Sequence, residues 1–267
     1  MKRFSFNQAT AKGWPLPDLA AGCTEEGVTA VGLWREDVQA YGVQRAAGLM
    51  RDSGLAVTSL CRGGFFQHPG WLDDNKRAID EAAALDAPVL VLVSGGLPAD
   101  SRDIDAARAH VGAALEELVP HALANGIQLA LEPLHPMFCS DRCVVSTLGQ
   151  ALDLAAPYPP QAVGVVVDTY HLWWDDDVWA QIERAGRDRR IACFQAADWL
   201  TPLPAGVLLG RGLPGTGCIE LRRFREAVDA AGYTGPVEVE VFNEELWARP
   251  GRDILAETIA RYRAHVA

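Results

Sequence analysis

A closed (β/α)8 barrel, eight parallel strands ringed by helices, is the fold this sequence predicts, on three observations. Eight short apolar runs rich in β-branched or aromatic residues recur along the chain. Ala-rich, charge-bearing segments with helical spacing lie between them, and acidic side chains gather where the later runs end. Parallel neighbours need a crossover, and the crossovers here read as helices. The 267 residues also suit the architecture, which commonly uses about 250.

In chain order, the strands are predicted to be FSFNQA from Phe4, TAVGLW from Thr29, AVTSLC from Ala56 and PVLVLV from Pro88, then IQLALE from Ile127, VGVVVD from Val163, IACFQA from Ile191 and PVEVEVF from Pro236. Between the second and third lies VQAYGVQRAAGLMRDSG; after the third, DDNKRAIDEAAALD; after the fourth, DIDAARAHVGAALEELVPHALANG; and after the seventh, LRRFREAVDAAGYTG. Several of these end in Gly or Asn-Gly, as helix C-termini do. The closing segment, GRDILAETIARYRAHVA, supplies the eighth helix. No linker, low-complexity block or short repeat interrupts the pattern, so one domain over residues 1–267 is expected. A doubly wound open sheet competes, but it usually carries a Gly-rich phosphate turn after its first strand, and NQATAKGW is not one.

The totals narrow the function classes. With 24 basic and 35 acidic side chains, the net charge of −11 has the wrong sign for binding phosphate backbones, so no nucleic-acid partner is expected. No stretch approaches 18 consecutive apolar residues and the first residues hold no signal-peptide core, so the expectation is a cytoplasmic protein with no membrane partner. Six cysteines without an export signal read as free thiols rather than a disulfide framework. The sequence leaves a homo-oligomer open.

The C-terminal ends of barrel strands form the mouth where active sites of this architecture sit. The fifth run ends with Glu132 and His135, the sixth with Asp168 and His171, the seventh with Gln195 and Asp198, and the eighth with Glu238 and Glu240. Carboxylates facing one space repel unless a cation joins them or protons are taken up, so one bound divalent ion is expected. Oxygen donors favour Mn2+, Mg2+ or Co2+ over a thiolate-type zinc site. Glu238 and Glu240 share a strand face, so periodicity cannot choose between them; proximity to the strand end favours Glu240.

These motifs, from GLWRE and SLCRGGFF through LEPLHP, DTYHLWW, DWLTPLP and GRGLPGTG to VEVEVF, resemble the xylose-isomerase-like barrels. That group includes sugar phosphate isomerases and epimerases, ketose 3-epimerases, inosose dehydratases and relatives of endonuclease IV. The resemblance implies a metal held by Glu132, Asp168, Gln195 and Glu240, with Glu132 and Glu240 also serving as acid and base around a metal-stabilised enediolate. It makes His171 the group that hydrogen-bonds the substrate and Arg211 one that grips it. Two positions depart from the pattern. Gln195 stands where the family carries histidine, which implies a looser metal site, and Phe138 stands where ketose 3-epimerases carry a second glutamate, with His135 placed to fill the space.

Trp34, Arg62 and Trp174 complete the expected substrate contacts: aromatic walls suit the apolar faces of a sugar or cyclic polyol, and arginine supplies donors. The expected activity is isomerisation or epimerisation of a small polyhydroxylated carbonyl compound. A lyase or dehydratase on a similar substrate is the alternative, since both begin with the same proton abstraction. A non-catalytic binding barrel that has lost its metal is the further one.

Overall fold

In the computed structural model, which describes residues 3–205 and 207–267, the expected barrel closes. Its strands are β1 (Phe4–Asn7), β2 (Ala30–Trp34), β3 (Ala56–Gly64), β4 (Val89–Val93), β5 (Gln128–Leu131), β6 (Val163–Asp168), β7 (Ile191–Ala196) and, after a short ribbon, β10 (Val237–Val239). The ribbon pairs β8 (Asp198–Trp199) with β9 (Arg211–Gly212) in antiparallel register. All barrel neighbours are parallel, and β1 closes the ring by pairing with both β10 and β2.

The helices fall where the Ala-rich segments predict, with Trp71–Ala84, Ile104–Ala124, Leu221–Ala230 and Gly251–His265 on the outside. One expected helix is divided. The segment after β2 forms Arg35–Tyr41 and Val43–Asp52, because Gly42 adopts φ +98°, a left-handed backbone that ends the first helix and starts the second.

A two-residue period sorts the strand side chains. Leu90, Leu92, Leu129, Val165, Val167 and Phe194 belong to the large cluster that extends to the helices. A separate, smaller cluster is built from Cys61, Val89, Val91, Ala130, Val166 and Cys193. Two residues beyond Ala130, Val166 and Cys193 on their own strands come Glu132, Asp168 and Gln195. The same alternation that buries the small cluster thus carries these polar side chains to the top of the barrel interior.

Candidate active site at the barrel mouth

A cavity of about 270 Å³ opens at that end, with Trp34, Arg62, Glu132, His171, Arg211 and Glu240 among its lining. Arg211 organises its floor. Its guanidinium is 4% exposed, and Nη1 donates to Asp168 Oδ2 at 3.3 Å and to Glu240 Oε2 at 3.1 Å. The rings of Tyr170 and Phe242 flank the charge at 4.9 and 4.7 Å. The Gly-rich loop after β9 fixes this arginine by closing on a carboxylate of its own chain: the amides of Gly215 and Gly217 each donate to Asp198 Oδ2 at 2.9 Å, and that of Ile219 to Oδ1 at 3.0 Å. A Cβ on Gly217 would lie 2.1 Å from the Trp199 carbonyl oxygen, so the turn admits only glycine.

The acids share one strained electrostatic environment. Burial, reinforced by the neighbouring Glu240 and Asp168 carboxylates, holds Glu132 well above the usual carboxylate range. Burial also raises Asp168, with Arg211 pulling the other way, and pushes Glu240 up to about 7 against the same opposing charge. The Cys61 thiol, kept protonated by burial, lies 3.8 Å from Glu240 Oε1.

His171 is fully buried, and burial together with Arg211 keeps its ring neutral by lowering its pKa well below the usual value. The backbone N–H of His135 donates to its Nδ1 at 3.2 Å, which assigns the ring hydrogen to Nε2. That Nε2–H faces Arg211 Nη2 at 3.1 Å, donor against donor, with Glu132 Oε1 and Asp168 Oδ2 each 3.8 Å away. An acceptor oxygen entering between the two donors would satisfy both.

Donor atoms of Glu132, Asp168 and His171 lie within 4.8 Å of one another. With Nε2 carrying a hydrogen, the imidazole offers no lone pair there, so the carboxylates are the groups chemically suited to a hard cation. Gln195 stands level with Asp168 on one side and Glu238 on the other. Its Nε2 points to Glu238 Oε2 at 3.4 Å, while its Oε1 is buried without a partner, an orphaned acceptor of the kind a cation satisfies. Crowded acids of raised pKa and an unpaired amide oxygen fit a divalent ion at this point.

The remaining expected residues divide. Trp34 and Arg62 line the cavity, whereas the rings of His135 and Trp174 are not among its described lining. His135 acts through its backbone, its ring packing on Trp199 and Trp174 at 5.0 and 5.5 Å. Trp174 is 36% exposed, its indole N–H donating to the His171 carbonyl at 2.7 Å. Phe138 packs edge-on against His171 at 5.8 Å. Lys12, Cys61, Arg142 and Phe242 also line the cavity and were not expected there. Cys61 was legible as the last inward residue of its apolar run; Lys12 and Arg142 sit in loops and carry no local signal.

The sequence profile of the xylose isomerase-like TIM barrels matches residues 20–265. This chain belongs to that family. Among curated proteins it is 32% identical over 169 residues to the 3-dehydroshikimate dehydratase of Pseudomonas aeruginosa, a match covering 61% of this chain and 25% of that protein. It is 27% identical over 158 residues to the inosose isomerase of Halalkalibacterium halodurans, covering 55% of this chain and 54% of that one. The chain therefore matches only about half or less of each relative's length. Among solved structures, protein SMc04130 of Sinorhizobium meliloti 1021 superposes with a TM-score of 0.95 at 43% identity, covering 99% of this chain and 98% of its own. An IolI protein with a bound zinc atom superposes at 0.83 and 20% identity, covering 99% and 98%, a likeness of fold.

Proposed function

We propose that this barrel is a divalent-metal-dependent isomerase or epimerase that removes and returns a proton next to the carbonyl of a small sugar or cyclic polyol. The observation that carries this reading is the convergence of two buried carboxyls from distant strand ends, Glu132 and Glu240, on one cavity where crowded acids fit a metal ion and Arg211 is placed to meet a substrate oxygen. Glu132 and Asp168 would hold the ion, with Glu240 and Gln195 Oε1 as neighbouring donors. When bound, the ion draws electron density from the substrate oxygens and so acidifies the adjacent C–H.

The protein's own groups supply the proton movements. Glu240 Oε takes the proton as the C–H bond breaks, and Glu132 in its protonated form delivers one to the opposite face of the same carbon or to its neighbour. The Nε2–H of His171 and the Nη2–H of Arg211 donate to the substrate oxygen on which charge develops, which relieves their mutual opposition. The aromatic walls exclude water and seat the apolar faces of the ring.

Incubation with a panel of ketoses and inososes in deuterated buffer with Mn2+ tests the reading. Deuterium should enter the carbon next to the carbonyl, and Glu240→Gln should slow entry by about 10³-fold or more, the scale of a lost general base. Exchange that continues unchanged in that variant would remove Glu240 from the base role.

A second reading has one observation in its favour, the higher identity to the dehydratase relative. There the same abstraction is followed by departure of a β-hydroxyl as water. Product mass separates the two, since dehydration removes one water and epimerisation removes nothing.

A further inference from the structure

The cations around the cavity differ in how they are partnered. Arg211 is ion-paired with Asp168 and Glu240. Arg142 lies 3.7 Å from Asp141, and Lys12 rests over the Trp247 ring at 5.1 Å with the Asp37 carboxylate in its field. Arg35, one residue beyond β2, is drawn away from the cavity by Glu81 at 2.6 Å and Asp74 at 3.0 Å.

Arg62 is held differently. Its guanidinium sits over the Phe65 ring at 4.2 Å, and among the described residues its side chain has no hydrogen bond and no carboxylate within ion-pair distance. Burial and the positive fields of Arg142 and Arg35 work against its charge, offset in part by Glu36 and Cys61. A half-buried guanidinium beside a second one, in a cavity wall, is an arrangement that a paired acceptor completes.

We propose that Arg62, with Arg142 as its neighbour, binds a carboxylate of the substrate, so that the polyhydroxylated carbonyl compound handled at the inner wall is also an acid. This rests on the reading of the cavity as a polyol site given above. A carboxylate is favoured over a phosphate monoester because Glu36 and Asp37 line the same wall and would oppose a dianion about twice as strongly. The planar fork of arginine also matches two carboxylate oxygens side by side.

The test compares three probes by isothermal titration calorimetry on the full chain: quinate, a cyclic polyol with a carboxylate; myo-inositol, which has no charge; and myo-inositol 1-phosphate. Quinate should bind about tenfold or more tighter than myo-inositol, as expected for a charge-assisted pair. Arg62→Gln should erase that preference, bringing quinate down to the affinity of myo-inositol, and Arg142→Gln should reduce it by a smaller factor. If Arg62→Gln fails to fold, Arg62→Lys, which keeps the charge but loses the fork, should show a partial loss. Equal binding of quinate and myo-inositol, an undiminished preference in the Arg62 variants, or tighter binding of the phosphate would overturn the proposal. Because binding is read without turnover, a quinate preference alongside absent deuterium exchange would sink the proton-abstraction reading alone. Exchange on a neutral ketose without any quinate preference would sink the carboxylate subsite alone.

Discussion

Glu238 and Glu240 stand two residues apart on one strand face, yet the barrel treats them as different kinds of group. Glu238, one layer below the mouth, receives neutral donors: Thr58 Oγ at 2.6 Å, Asn7 Nδ2 at 3.0 Å and Gln195 Nε2 at 3.4 Å. Glu240 lines the open cavity, where it meets one arginine, one thiol and the repulsion of Asp168 and Glu238. The lower acid is a hydrogen-bonded keystone of the interior. The upper one is held in a state close to proton exchange, because its surroundings favour the charged and the neutral form almost equally.

The sharpest way to break this contrast is to remove each acid and measure the fold. Glu238→Leu strands two buried amide donors, Asn7 on β1 and Gln195 on β7, and removes the shorter bond of the half-buried Thr58 on β3, and urea unfolding should show a loss of about 3 kcal/mol. Glu240→Gln should cost far less at pH 8 while abolishing exchange. Comparable destabilisation by both would erase the distinction.

A second prediction sharpens it through pH. The folded pKa of Glu240, about 7, lies above its ordinary value of 4.5, so the folded state holds this proton more tightly than the unfolded chain. Its contribution to stability is therefore greatest below 4.5 and is lost as pH rises towards 7. Glu240→Gln keeps the neutral form at every pH. In metal-free protein, the stability of that variant relative to the natural chain should rise between pH 5 and 8 by on the order of 2 kcal/mol. A difference that stays flat with pH would remove the raised proton affinity assigned to Glu240.

The smallest expected effect concerns Gln195. It donates to Glu238, level with it on the next strand, and leaves its oxygen without a partner. Gln195→His replaces a neutral amide by imidazole, a better ligand for borderline ions, and Mn2+ or Co2+ affinity measured by calorimetry should rise about tenfold. An unchanged affinity would tie Gln195 to the lower layer alone.

Much of this site is legible in the chain. The eight runs fix the barrel, and the strand period of two puts Glu132 and Asp168 on the inward face of their strands, since a residue that continues the alternation beyond a buried Ala130 or Val166 has one direction to point. The Gly-rich GRGLPGTG stretch was legible only as one motif of the resemblance, and that its amides close on Asp198 came from the structure. His135, expected as a ring in the site, contributes its backbone N–H, because the turn at Pro136 directs the ring towards Trp199.

The linear order of residues thus determined which segments are strands, which end of the barrel carries the polar groups, and which acids face inward, because these follow from periodicity within a few residues. Only the tertiary structure decided that Arg211 sits between Asp168 and Glu240, that Arg35 is consumed by Asp74 and Glu81, and that Arg62 is left facing the cavity. Those pairings join residues 29 to 46 positions apart. They depend on how strand register and loop path bring remote side chains to within hydrogen-bond distance, and no local pattern encodes that.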